Sequence, residues 1–265
     1  MFLGKQIRLN RLTNEKSGKY VGVTLDHSTG RGVLRGLENA EEIVKKMVAG
    51  RPNAITMHKG IAEKVYAPHA GKVPLVLKST TFSLYHNDID IPVADVEEAV
   101  RFGADAISVG LILGGPEQIE QVKFLAKISK AAASCGMPLV AHSYPRGSEI
   151  KEPKDHADYA VRVAAELGVD IIKTNWNGSV KNFAKAVQAA APAKVVVAGG
   201  GDGETLIDYL RLAEEALQAG AFGVTFGRCV FSDEDPTAAI VAINAVVHDG
   251  KTATDAMKEY KNFRG

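Results

Sequence analysis

The sequence predicts an α/β fold, a single (β/α)8 TIM barrel, and three observations carry that expectation. Eight short apolar runs recur along the chain, segments of helical period lie between them, and glycines stand where helices hand over to strands. A chain of 265 residues is long enough for two ordinary domains or for one barrel, and the repeated βα unit favours one domain over 1–265.

A short N-terminal extension, about residues 1–19, precedes the first run, "YVGVTL". "NAITMH", "VPLVLK", "DAISVG", "MPLVAH", "DIIKT", "KVVVAG" and "FGVTFG" follow, each short enough for a strand and apolar enough to be buried on both faces. Between them, Ala157, Ala160, Val161, Ala164 and Leu167 share one helical stripe, as do Leu206, Tyr209, Leu210, Ala213, Ala216 and Leu217. Gly103, Gly136, Gly168 and Gly220 end helices just before a strand.

With 32 basic and 31 acidic residues the formal charge is +1, which provides no electrostatic footprint for nucleic acid or an anionic membrane. No apolar run approaches the roughly 18 to 20 residues of a membrane span, and "MFLGKQIRLNRL" is too polar for a signal peptide, so a cytoplasmic location is expected. Cys135 and Cys229 form no disulfide framework and are expected as small core hydrophobes.

In such barrels the chemistry sits at the C-terminal ends of the strands. Asp26 and His27, His58 and Lys59, Lys78, His142 and Tyr144, and Lys173 follow strands one, two, three, five and six; Gly199, Gly200 and Gly201, then Gly227 and Arg228, follow strands seven and eight. Lys173 is the candidate covalent catalyst, because desolvation in an apolar barrel, with Lys59 or Lys78 nearby, would favour a neutral amine able to attack a carbonyl. A structural lysine paired with Asp26 is the competing reading.

Tyr144, in the stiff "YPRG" turn, is a candidate for proton transfer, and Asp26 for orienting a substrate hydroxyl or carbinolamine; a loop-bonding tyrosine and a capping or ion-paired carboxylate are the plain alternatives. "AGGGDGET" with Arg228 in the partner loop suggests an anion site, where glycines would let backbone N–H groups approach a phosphate. His27, His58 and His142 could together hold a zinc, but no short histidine spacing supports that and it leaves Lys173 unexplained, so neither metal nor other cofactor is expected.

At "LDHSTGRG", "HKG", "YPRG", "IIKT", "AGGG" and "GVTFGR" the sequence resembles, in order and over nearly the whole chain, the archaeal-type class I fructose-bisphosphate aldolases of the DhnA and DeoC/LacD-like group. The resemblance implies a metal-free Schiff-base barrel with Lys173 as the Schiff-base lysine, Tyr144 as the proton-transfer residue and Asp26 as a substrate-binding carboxylate. Arg146, Gly200, Gly201, Gly227 and Arg228 would contact substrate and phosphate. It further implies a phosphorylated sugar as substrate, fructose 1,6-bisphosphate first, and a homo-oligomer. The same group includes 2-amino-3,7-dideoxy-D-threo-hept-6-ulosonate synthase, a transaldolase that shares nearly every motif.

Two positions depart from the aldolase pattern. His142 stands where those aldolases typically carry tryptophan, and "GGGDGE" replaces the usual Gly-Gly-Pro-Lys, bringing Asp202 and Glu204 near a site meant for an anion. The sugar and its number of phosphates stay open at this point.

Overall fold

Runs that are apolar on both faces must be covered on both faces, and a closed parallel sheet with helices outside and side chains inside does this. The computed structural model describes residues 2–199 and 205–264 and shows that arrangement. The strands are β1 Tyr20–Thr24, β2 Ala54–Met57, β3 Leu75–Lys78, β4 Ala106–Leu113, β5 Leu139–Pro145, β6 Ile171–Asn175, β7 Lys194–Ala198 and β8 Gly223–Phe226. All eight pair in parallel and close in sequence order, with β1 bonded to both β2 and β8.

The helices bury the stripes expected of them, Ala157, Ala160, Val161 and Ala164 in one and Tyr209, Leu210, Ala213 and Ala216 in another. Gly103, Gly136, Gly168 and Gly220 have φ of 64°, 60°, 84° and 90°, left-handed turns in which a side chain would be strained.

The N-terminal extension holds a helix, Leu3–Leu12, that closes the floor of the barrel. Leu12 is fully buried with Tyr20, Ala54, Val76, Ala106, Val140, Ile171, Val196 and Phe222 in a cluster separate from the larger strand–helix core. Around it, Lys5 pairs with Asp170 at 2.7 Å, Arg11 with Asp105 at 3.1 Å, and Arg8 donates to the Gly136 carbonyl at 3.1 Å.

Two expectations are corrected. Cys135 is exposed, and Cys229 is half-buried, packed against the core from its edge. Cys135 caps the C-terminal end of helix Gln118–Ser134, where that end meets solvent. Tyr144 and Pro145 are not in a turn: β4 continues to Leu113, and its Ile112 and Leu113 pair with Tyr144 and Pro145, carrying the tyrosine on the strand itself.

Candidate active site

Side chains along a strand alternate faces, so residues two apart share one. Val76, Val140 and Ile171 face the floor; two residues on, Lys78, His142 and Lys173 line a cavity of ≈ 830 Å³, its open mouth included. The register sets His142 of β5 beside Lys173 of β6, with Gly110 of β4 on its other side.

Lys173 is 7% exposed, and among the described residues it has no ion pair within 4.0 Å. Burial lowers its pKa and Arg228 lowers it further, against the opposing pull of Asp26. The expected help from Lys59 is corrected. Lys59 lies outside the cavity lining, because the helix Lys59–Val65 starts at that residue and its ammonium pairs with Glu98 at 2.6 Å. Lys78 is buried in the cavity wall and donates to Thr80 Oγ1 at 2.8 Å.

Asp26 stands 3.5 Å from His27 Nδ1 and 3.8 Å from His142 Nδ1. Burial works to raise its carboxyl, but His142, His27, Lys173 and Lys78 together hold it below the usual carboxylate range. Burial pushes His27 down to about 4, with Asp26 opposing, and pushes His142 well below the ordinary imidazole value, with Lys173 and Lys78 adding to it. At neutral pH this leaves two uncharged imidazoles beside an ionised carboxylate.

His58 is outside the lining, its Nε2 3.4 Å from Thr29 Oγ1, so the three histidines do not converge. Among the described residues no group of three or more His, Cys, Asp or Glu is arranged to hold a metal ion.

Tyr144 lines the cavity, and burial, then Asp26 and Asp90, raise its phenol above the ordinary value, keeping it protonated. Arg146 donates to the Asn87 carbonyl at 2.5 Å and lies 4.9 Å over the Phe82 ring. Arg31 is 5.8 Å from the same ring, and both arginines, with half-buried Arg228, line the cavity.

Gly199 also lines it, but a side chain there would strike Phe226 at 2.7 Å, and one at Gly227 would strike the His27 ring at 2.4 Å. Close packing thus leaves no room for a side chain at either glycine. Gly200, Gly201, Asp202 and Glu204 lie outside the described residues.

The cavity also includes residues given no role from the sequence: Arg31, Thr81, Phe82, Asp90 and Asn175. Asn175 carried a signal, two residues beyond Lys173 on one strand. Asp90, Thr81 and Phe82 come from the β3–β4 connection, ahead of its helix Val96–Arg101, in the part that holds the antiparallel pair Thr80–Thr81 with Ile91–Pro92.

Residues 20–233 match the model of the DeoC/LacD family aldolases. The chain belongs to that family. Its relatives include 2-amino-3,7-dideoxy-D-threo-hept-6-ulosonate synthase of Halobacterium salinarum, 36% identical over 93% of this chain and 92% of that protein. They also include 2-amino-4,5-dihydroxy-6-oxo-7-(phosphonooxy)heptanoate synthase of Streptomyces griseus, 33% identical over 94% and 92%. Among solved structures, an archaeal fructose-1,6-bisphosphate aldolase with its catalytic lysine bound to the carbinolamine intermediate superposes with a TM-score of 0.84, at 29% identity over 92% of this chain and 99% of that one. Class I aldolase of the DeoC type is thus the chemistry of this barrel.

Proposed function

We propose that this aldolase makes or breaks a carbon–carbon bond next to the carbonyl of a phosphorylated ketose, with Lys173 forming the Schiff base. The observation that carries the reading is one cavity with the buried Lys173 inside and Arg31, Arg146 and Arg228 also in its wall. An amine there suits a carbonyl, and three guanidiniums suit phosphate oxygens.

In cleavage, the neutral Nζ of Lys173 attacks the ketose carbonyl carbon to give a carbinolamine, whose hydroxyl leaves as water after taking a proton from the Tyr144 phenol. The resulting iminium draws the electrons of the bond between the third and fourth carbons into an enamine. The Tyr144 phenolate left by the dehydration takes the hydroxyl proton on the fourth carbon, which restores the phenol, and an aldehyde is released. Asp26 orients the hydroxyls of substrate and carbinolamine. Enamine protonation and hydrolysis free the second product and restore the lysine.

Fructose 1,6-bisphosphate is the first substrate assigned, giving dihydroxyacetone phosphate and glyceraldehyde 3-phosphate, because a substrate with a phosphate at each end would use several arginines. The relatives at 36% and 33% identity favour a second reading, a transaldolase building an amino-deoxy heptulosonate. Borohydride reduction in the presence of a panel of phosphorylated ketoses, followed by peptide mass measurement, tests both. The expected result is a reduced adduct on Lys173 with fructose 1,6-bisphosphate, absent in Lys173→Ala. Adducts on Lys59 or Lys78 with Lys173 untouched would overturn the lysine assignment, and trapping of other ketoses but not the bisphosphate would favour the second reading.

A further inference from the structure

We infer that Asp90, on the β3–β4 side of the cavity, is a specificity-determining residue that accepts a hydrogen bond from one hydroxyl of the ketose chain. The inference rests on the reading of the protein as a ketose aldolase and adds a residue from outside the strand ends.

Asp90 belongs to a connecting loop, yet it is only 8% exposed and lines the cavity. Three features hold it there. Gln121, itself 3% exposed, accepts from the Asp90 amide at 3.3 Å and from the Ile112 amide at 3.0 Å, and donates to the carbonyls of Asp88 and Ile112 at 3.4 Å each. That one side chain fastens the loop to β4. Gly110 then makes room, since a Cβ on it would lie 2.2 Å from the Asp90 carboxyl carbon. Thr80 accepts from the Gly110 amide at 2.6 Å and from Lys78 Nζ at 2.8 Å, which sets the lysine beside the carboxylate.

The placement stops one bond short. Asp90 Oδ1 is buried and has no hydrogen-bond partner among the described residues, and Lys78 Nζ stands 3.8 Å away, close enough for charge but too far for a hydrogen bond. A buried carboxylate short of donors is a costly arrangement, and one that a bound ligand relieves by supplying a donor. Lys78 already balances the charge, so the fitting donor is neutral: a sugar hydroxyl and not an ammonium. Asp26 cannot serve this position, because its oxygens face His27 and His142.

The test reads borohydride trapping on Lys173 at increasing concentrations of fructose 1,6-bisphosphate and of its three analogues lacking the hydroxyl on the third, fourth or fifth carbon. Trapping needs Schiff-base formation but not cleavage, so all four compounds are readable. Asp90→Ala is expected to raise the half-saturating concentration of the bisphosphate by about tenfold or more, the scale of one charge-assisted hydrogen bond, with full trapping at saturation. Asp90→Asn, whose amide oxygen still accepts, should lose less. One analogue, bound more weakly than the bisphosphate by the unchanged enzyme, should lose nothing further in either variant. Equal loss on the bisphosphate and all three analogues would overturn the inference and leave Asp90 as a scaffold partner of Lys78, as would a change below about twofold. If the unchanged enzyme traps none of the four while its fold is intact, the bisphosphate reading fails first and takes the inference with it.

Discussion

At the floor of the barrel Val76, Val140 and Ile171 pack with Leu12 and Phe222; two residues later on the same strands, Lys78, His142 and Lys173 face a cavity lined by charge. The lower layer is closed by a helix and built of apolar and aromatic side chains, with its ion pairs at the edge. The upper layer buries two lysines and a histidine, and several buried polar atoms near it lack a hydrogen bond among the described residues, among them His27 Nδ1, Asp90 Oδ1 and Arg146 Nε. Stability and chemistry thus share strands but not levels. Changes at the floor should alter melting and spare turnover, and changes at the rim should do the reverse.

The largest effect expected is at Lys173. Lys173→Met keeps the stem and removes the amine, so turnover and borohydride adduct should fall to the limit of detection. Because burial lowers the lysine pKa, its charged form is disfavoured in the fold, and the methionine variant should melt no lower than the parent at pH 7. A thermal scan beside an activity assay checks both halves. An inactive variant that also melts much lower would mean that Lys173 holds the barrel together, breaking the division between levels.

Leu12→Ala tests the floor. It removes a fully buried side chain from the closed end and should cost about 2 to 5 kcal/mol of stability in chemical denaturation, the usual range for such a cavity. The turnover number of the folded fraction should be unchanged. A parallel drop in turnover would show that the floor transmits to the rim.

The two levels also differed in how much the sequence revealed. The strands were readable because short continuous apolar runs bounded by glycines leave a strong pattern, and Lys173, His142 and Asp26 stood out as polar residues set in or just after those runs. Strand-end position gives nearness without direction, which is why Lys59 was misplaced: it begins a helix and turns to Glu98. Asp90 and Phe82 sit in a connection with no periodicity, where only tertiary contacts such as the Gln121 bracket decide what enters the cavity. The floor helix was readable only as an extension, because its one fully buried residue, Leu12, is its last.

Acid should separate the levels further. His27 titrates at about 4 in the folded chain against an ordinary 6.5, so between those values the unfolded chain binds more protons and stability falls as pH falls. The loss from this group reaches about 3 kcal/mol once pH is below both values. His142, also depressed, acts in the same direction. Melting temperatures measured from pH 7 to pH 4 should decline, and the decline should be shallower in His27→Gln. An equal slope in the variant would place the acid sensitivity elsewhere.

The smallest expected effect is at Phe82, and it asks whether the rim has packing rules of its own. The ring lies within 6 Å of two guanidiniums, Arg146 at 4.9 Å and Arg31 at 5.8 Å, and a side chain on Gly30 would strike it at 2.4 Å. One ring thus serves two like-charged guanidiniums at once. A cation–π contact contributes about 0.5 to 1 kcal/mol at an exposed site, so Phe82→Leu, which fills much of the volume without the π face, should loosen both arginines and raise KM for the phosphorylated ketose by about threefold to fivefold. Turnover should hold, since the ring positions arginines and not the lysine. Melting should barely move, because the floor and the strand–helix core are untouched. An unchanged KM would mean that the arginines are held by their other contacts, such as the bond from Arg146 to the Asn87 carbonyl, and that the ring serves only to cover the cavity.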